Sequence, residues 1–390
     1  MNLIAYALAA LCLIWWLLAL AITRIAVVTR RLEDLPLVER EAWPSVAVIA
    51  PAKDEAAGLE DALRSRLRSD YPSLRIVVVD DRSQDDTGLI ADRLAASDPR
   101  VQAVHVTELP SDWLGKLNAL QRGVDATDAD WLLFSDADVH VAPGTLRRAI
   151  HHAEEHGIDL LTAMPHVLPG GLGVNSIHAV FLTFLAPAFD APRAENPKSS
   201  FAPAVGAFSL VRRSALAKTP GFASIRLCVD DDLQLGLMLK ASGARCSVFL
   251  GPGSVSVDMY PTVRDMIVGA EKNAWGVASA FSAARGLVLC AFLPVFEFAP
   301  WLLLAVAPTP GLRLYAALSG LSLLGASSGA MLLNGRNPWP VLVQPVGVLI
   351  LTWAMFRGTL KGWRQGGLSW RGTHYPTERF LRFQAGRKAG

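Results

Sequence analysis

From Leu3 to Ile22 the chain carries no charged side chain, and those twenty residues match the length a helix needs to cross the hydrocarbon of a bilayer. Such a run has to be placed in lipid or covered by protein. It lacks a basic n-region and a small-x-small cleavage site, and Trp15-Trp16 lies inside it. It therefore reads as an uncleaved anchor over 1–23 rather than a removable signal peptide. Arg24, Arg30 and Arg31 follow, with no Lys or Arg before the run. The positive-inside rule then puts the N-terminus outside and a linker, 24–42, in the cytoplasm.

A second apolar region is expected over 276–356. Within it Leu314–Leu333 and Trp339–Phe356 read as spans, whereas 287–307 contains Pro294, Glu297 and Pro300. The segment 357–390 is basic: Arg357, Lys361, Arg364, Arg371, Arg379, Arg382, Arg387 and Lys388 stand against Glu378 alone. A basic tail belongs in the cytoplasm, which requires an even number of crossings before it. The segment 287–307 is therefore expected to be re-entrant or interfacial, with its Glu and prolines covered by protein or a cavity. Composition agrees. Charged residues are 18% of the chain and hydrophobic ones 52%, where soluble domains carry about 25% charge. Wholesale disorder is excluded by that apolar content. Cys12, Cys228, Cys246 and Cys290 have no disulfide-framework or metal spacing, and a net charge of +2 predicts no nucleic-acid partner.

Between these regions, 43–275 alternates β-rich runs with amphipathic stretches. Val46–Ala50, Ile76–Val79, Val101–Val106 and Trp131–Ser135 read as strands, and 58–69, 84–96, 116–124 and 144–156 as helices. The strands are apolar throughout rather than alternating, as expected for parallel strands buried on both faces. The order predicts an α/β fold, a mostly parallel sheet with helices on both faces. Ligands in such sheets bind beyond the strand carboxyl ends. Acidic clusters follow three of the four strands: Pro51-Ala52-Lys53-Asp54-Glu55, Asp80 to Thr87, and Ser135-Asp136-Ala137-Asp138. One such cluster is commonly the N-cap of the next helix. Three on one edge repel one another and call for a cation or hydrogen-bond donors. Asp136 and Asp138 offer hard oxygen ligands suited to Mg²⁺ or Mn²⁺, which bridge substrate phosphates.

These motifs resemble those of the family 2 glycosyltransferases with the GT-A fold. P-x-K-D-E is similar to the family's first-strand motif, with Asp54 where Asn is usual. D-D-x-S-x-D-x-T at 80–87 is similar to its uridine-contacting segment. The resemblance implies a nucleotide-sugar site of Pro51, Lys53, Glu55, Asp80, Asp81, Lys116 and Asp136, with Asp80 or Asp81 on the uracil. It also implies a metal held mainly by Asp138 with support from Asp136. The run Leu109-Pro110-x-x-Trp113-x-Gly115-Lys116-x-x-Ala119 resembles the subgroup with hopanoid-associated and carotenoid glycosyltransferases, which would put Lys116 near the diphosphate. Val229-Asp230-Asp231-Asp232-Leu233-Gln234-Leu235 resembles the E-D-x-x-L motif. Asp231 then stands in the Glu position, and the register to Leu235 makes Asp232 the counterpart of the catalytic base. An acceptor hydroxyl needs such a carboxylate within hydrogen-bond reach, and adjacent acids tend to raise one pKa. The plainer alternative for the triplet is an acidic helix N-terminus favoured by the dipole.

One departure matters. Gly269 to Trp275 does not match the Q-x-x-R-W of processive synthases, and Lys272-Asn273 is closer to the carotenoid-type subgroup. The expected protein is thus a multi-pass enzyme of the cell (inner) membrane with a cytoplasmic catalytic domain. It would transfer one sugar, with inversion, from a UDP-sugar to a membrane lipid hydroxyl. Trp275, Phe281 and 287–307 are the expected lining of the acceptor path, and Ala191–Ser200 a mobile loop near it. A polysaccharide or surface-glycan synthase subunit and a non-catalytic membrane scaffold are the alternatives. A sugar-nucleotidyltransferase would need a glycine-rich loop after the first strand, and P-A-K-D-E has no glycine. His151, His152 and His156 read as a solvated helix face, His105 and His166 carry no spacing signal, and nothing near Cys228 makes it a nucleophile.

Overall fold

The computed structural model describes residues 2–389, and the chain forms two compact units. The first comprises Thr29–Leu168, Phe189–Met259 and the stretch from Arg379 on. Its centre is an eight-stranded sheet: β1 Val46–Ala52, β2 Leu74–Asp81, β3 Val101–Val106, β4 Trp131–Phe134, β5 Val139–Val141, β6 Leu160–Val167, β7 Ser209–Arg212 and β8 Cys246–Val257. The order is β3-β2-β1-β4-β7-β6-β8-β5. β3, β2, β1 and β4 are parallel, as is β6 with β8. β7 runs antiparallel to both its neighbours, and β5 antiparallel to β8.

Val46–Ala50 and Ile76–Val79 are at most 1% exposed, so the uninterrupted apolar runs do mark strands covered on both faces. Helices Leu59–Leu67, Thr87–Ser97, Gly115–Asp125 and Thr145–Glu155 connect them, close to the expected spans. The register Ala52↔Asp80 and the pairing of Phe134 with Ile49 bring the loops after β1, β2 and β4 out at one edge.

One expectation about this unit changes. Ala191–Ser200 is not a bare loop. Its first half is the helix Ala191–Glu195, where the Asp190 side chain accepts the Arg193 N–H. Ala194 is fully buried, its carbonyl accepts from Lys240 Nζ at 2.6 Å, and Glu195 bonds Ser247 at 2.9 Å. The basic C-terminal segment joins this unit from Arg379 on. Its helix, Thr377–Ala389, sends Arg379 to the Ser111 carbonyl at 2.5 Å, Arg387 to Gln234 Oε1 at 3.1 Å, and Phe383 under the Arg226 guanidinium at 4.8 Å.

The second unit comprises residues up to Val28, Pro169–Ala188 and Tyr260–Glu378. The run expected to be one catalytic domain over 43–275 is thus interrupted by 169–188 and left at Tyr260. Among the described residues, five helices are long and apolar enough to cross a membrane: Leu3–Val28, Leu172–Phe189, Ala283–Val306, Pro310–Leu333 and Trp339–Gln365. The first helix runs through Arg24 to Val28, past the expected end at 23. Leu172–Phe189 was not legible as apolar because Asn175 and His178 interrupt it. Both are buried and bonded to Arg336.

The broken segment expected at 287–307 is instead one continuous helix, Ala283–Val306, with Pro294 and Pro300 inside it. Pro300 has no N–H for the carbonyl four residues back, and that carbonyl, of Phe296, accepts Trp15 Nε1–H at 3.1 Å. Glu297 is 2% exposed and accepts the Gln344 amide at 3.1 and 3.2 Å. A neighbouring helix thus satisfies what the proline frees, which is what a bilayer demands.

Residues 29–168 and 189–259 share one sheet through β4–β7, β6–β7 and β6–β8, and the C-terminal helix belongs to the same unit from Arg379 on. The even number of crossings expected before the basic tail can be tested directly. Single cysteines placed at exposed Glu41 and Gly386 are expected to react from the same side of sealed vesicles with an impermeant maleimide. Labelling from opposite sides would refute the even count.

Candidate functional site

β2 ends in Asp80 and Asp81, both buried. Asp80 accepts the Ser83 N–H at 3.0 Å and meets His105 Nδ1 at 3.1 Å, while His105 Nε2 lies 2.9 Å from Asp92. Asp92 first, then Asp80, raises the His105 pKa above its usual value. Asp81 pairs with Arg82 through Nε at 2.8 Å and Nη2 at 3.1 Å. A Cβ at Gly115 would strike the Asp81 carboxylate, so the helix Gly115–Asp125 begins directly against that charge, where its dipole is favourable.

The loops after β1 and β2 are tied together. Lys53 Nζ donates to the Arg82 carbonyl, Asp54 Oδ1 accepts the Gln84 N–H at 2.7 Å, and the Glu55 N–H donates to Thr87 Oγ1 at 2.8 Å. Pro51 is the penultimate residue of β1, and Asp54 and Arg82 adopt φ of +54° and +59°. Of the residues expected to bind a donor, Pro51, Lys53, Glu55, Asp80 and Asp81 therefore gather at one edge, with the two aspartates already engaged by protein partners.

Lys116, second in the helix that starts at Gly115, joins the other clusters. Its Nζ lies 2.8 Å from Asp136 Oδ1 and 3.1 Å from Asp231 Oδ2. Burial works against its charge, but Asp136, Asp231 and Asp232 outweigh this and hold its pKa well above the lysine value. Gly206 connects the same two acidic segments through its backbone. Its carbonyl accepts the Asp136 N–H at 2.8 Å, and its N–H donates to Asp232 Oδ2 at 3.1 Å. Asp232 Oδ1 accepts the Leu233 N–H at 2.8 Å. Burial, then neighbouring Asp231, pushes the Asp232 carboxyl up to about 6. The triplet also starts the helix Asp231–Ala241, so its dipole reading and its place in the site coexist.

Asp138 is pushed up to about 6 by burial, then by Asp136 and Glu55. Behind it lies Arg66, 1% exposed, whose Nη2 donates to the carbonyls of Asp136 and Val139 and whose Nε and Nη1 have no hydrogen-bond partner. Burial lowers the Arg66 pKa to about 10, against the pull of Asp138 and Asp136. Asp136 and Asp138 are hard oxygen donors that repel each other, and a divalent cation would relieve that repulsion. Among the described residues no three His, Cys, Asp or Glu form a cage. The fit is to an ion that completes its shell with water or substrate phosphate, as Mg²⁺ usually does.

Sequence reasoning missed Gly206, Arg66 and His105. Gly206 sits in Ala-Val-Gly-Ala and Arg66 inside an amphipathic helix, patterns that carry no chemical signal. The three helix histidines divide: His156 is exposed, but His152 is buried edge-on against Phe249 at 5.1 Å, and burial lowers its pKa to about 4. Cys228 is buried, its thiol pushed up to about 11 by that burial, in keeping with an inert side chain. In the helical unit, Trp275 and Phe281 are buried against each other, edge to face at 6.2 Å.

Comparison with known proteins bears on what this edge does. Residues 47–219 match the model of glycosyl transferase family 2. The 4,4'-diaponeurosporenoate glycosyltransferase of Staphylococcus haemolyticus is 27% identical over 239 residues, covering 60% of this chain and 62% of that one. The polyprenol monophosphomannose synthase of Mycolicibacterium smegmatis is 36% identical over 129 residues, 32% of this chain and 46% of the other. The chain spans from 18% to 62% of the length of the curated relatives it matches. The mannosyltransferase PcManGT of Pyrobaculum calidifontis, solved with GDP-Man and Mn²⁺, superposes with a TM-score of 0.55 at 19% identity. It covers 91% of this chain and 98% of its own. That likeness establishes a GT-A-like fold.

Replacing Arg66 by Met leaves two carbonyls without a donor and two carboxylates without their buried cation. The expected cost is about 3 kcal/mol, read as a fall of several degrees in the apparent Tm of the purified chain. An unchanged Tm would show that Arg66 does not hold the Asp136–Asp138 turn.

Proposed function

We propose, for a chain that carries a family 2 glycosyltransferase domain at residues 47–219, inverting transfer of one sugar from a nucleotide-sugar to the hydroxyl of a membrane lipid. The observation that carries the reading is the Lys116–Gly206 junction, which holds Asp136 and the Asp231–Asp232 pair together at the strand ends. That arrangement suits a donor phosphate on one side and an acceptor hydroxyl on the other.

In this reading Pro51, Lys53, Glu55, Asp80 and Asp81 form the nucleotide side. Lys53 and the two aspartates fix the 82–87 turn, and a UDP-sugar is the donor assigned. Asp138 and Asp136 hold Mg²⁺ or Mn²⁺, which when bound neutralises the leaving nucleoside diphosphate. Lys116 orients Asp136 and adds positive charge toward the phosphates. Asp232 takes the proton from the acceptor hydroxyl as its oxygen attacks the anomeric carbon on the face opposite the departing phosphate. A base must be ionised to work, and a carboxyl raised to about 6 is still ionised near neutral pH while being a better proton acceptor than an ordinary aspartate. Asp231, paired with Lys116, keeps its neighbour raised.

The lipid acceptor is supported by the five apolar helices and by relatives named for glycosylating 4,4'-diaponeurosporenoate and for making polyprenol monophosphomannose. The basic residues at 24–31 and 357–387 support a cytoplasmic sheet unit at the cell membrane.

The test is turnover of labelled UDP- and GDP-sugars by the whole chain in lipid extract, with and without EDTA. Label is expected in the organic phase only with a divalent ion present. Asp232→Asn is expected to lose about 10³-fold in rate. The native rate should fall tenfold per pH unit below about 6, and the residual rate of the variant should lack that acid limb. Long water-soluble products would favour a glycan synthase instead, and nucleotide-sugar binding without turnover a scaffold.

Gly206→Ala supplies a separate check. A Cβ there would meet the Asp136 carboxylate and Lys116 Nζ, so the junction must open. The expected loss is about 10²-fold in rate with an unchanged circular dichroism spectrum. Near-native turnover would remove Gly206 from the site.

A further inference from the structure

The helix Gln344–Gln365 sorts its side chains by height as well as by face. Gly347, Val348, Ala354, Gly358 and Gly362 are buried within the helical unit, and the glycines allow close approach: a Cβ at Gly358 would meet Glu271 and Ala274, and one at Gly362 the Trp275 ring. The opposite face is open. From the turn before the helix it reads Leu342 at 77% exposed, Val346 at 52%, Leu349 at 54% and Trp353 at 56%, and then Arg357, Lys361 and Arg364. The spacing of three or four residues keeps this row on one side of the helix.

An exposed row that passes from aliphatic to tryptophan to basic follows the order of a bilayer leaflet, from hydrocarbon through interface to headgroups. At its basic end lies an open recess of about 310 Å³ lined by Trp353, Phe356, Arg357, Leu360, Lys361 and Arg364. The charges there are not balanced. Glu271 pairs with Arg357 at 2.9 Å and with Lys361 at 2.6 Å. Arg364 is exposed and makes no ion pair or side-chain hydrogen bond among the described residues. Two cations thus share one carboxylate and a third has none, above an aromatic floor and at the end of an exposed apolar stripe.

We propose that this recess binds the phosphate headgroup of an anionic bilayer phospholipid. Arg364 and the outward edge of Arg357 and Lys361 contact the phosphate, Trp353 and Phe356 lie against the glycerol and upper acyl region, and the chains run along Leu349, Val346 and Leu342. Guanidinium groups bind phosphate oxygens in pairs, and basic residues just beyond a span draw anionic lipid. The proposal is independent of the transfer reaction, since no residue of the sheet unit takes part.

The test uses the whole chain in phosphatidylcholine bilayers with trace spin-labelled phosphatidylglycerol or phosphatidylcholine. The motionally restricted population is expected to favour phosphatidylglycerol several-fold. Arg364→Gln should cut that preference by about two- to fivefold, and Arg364→Lys should largely keep it. Arg264→Gln, which removes an exposed charge of the same unit outside the recess, should leave it unchanged. Equal restriction of both lipids, or an equal loss with Arg264→Gln, would overturn the proposal. Displacement of the labelled phosphatidylglycerol by low-millimolar inorganic phosphate would overturn it too, by marking a site for soluble phosphate.

Discussion

One ammonium group holds the candidate site together. Lys116 reaches Asp136 at the end of β4 and Asp231 at the start of a helix nearly a hundred residues later, and three carboxylates stabilise its charge. Without a cation at that point the two acidic segments would repel each other in a half-buried setting where water screens them poorly. The Gly206 backbone supplies the second tie, donating to one segment and accepting from the other. A residue without a side chain is needed there because the Asp136 carboxylate occupies the space a Cβ would take.

The same logic recurs behind the site. Arg66 is buried, donates to two backbone carbonyls and attracts Asp138 and Asp136 without a hydrogen bond to either carboxylate, so it stabilises the turn that carries them and leaves their oxygens available. Asp80 and Asp81 are by contrast engaged by His105 and Arg82. The edge therefore holds two kinds of acid: those spent on building the loops, and those whose pKa values are raised by burial and then by neighbouring carboxylates.

In the helical unit the governing constraint is that backbone groups have no water to bond. The carbonyl released by Pro300 is met by Trp15, and Glu297 by Gln344. Prolines and a carboxyl that look like a break in one dimension are accommodated because a second helix supplies the missing partner.

The sequence by itself determined the β-rich runs through Trp131, the helices between them, the acidic loops that follow, and the apolar segments at either end. These are local properties: an apolar run of five fixes a buried strand, and a charge at its end fixes the edge where polar groups emerge. What only the tertiary structure decided was which acids meet and which cation lies between them. The antiparallel insertion of β7, the excursion at 169–188 and the return of the C-terminal helix were beyond local reading as well. Those depend on contacts between residues tens to hundreds of positions apart, such as Trp15 with Phe296 or Ser111 with Arg379. Such partners leave no periodic trace in either segment, because a hydrogen bond or ion pair needs one suitable atom at each end and no pattern along the chain.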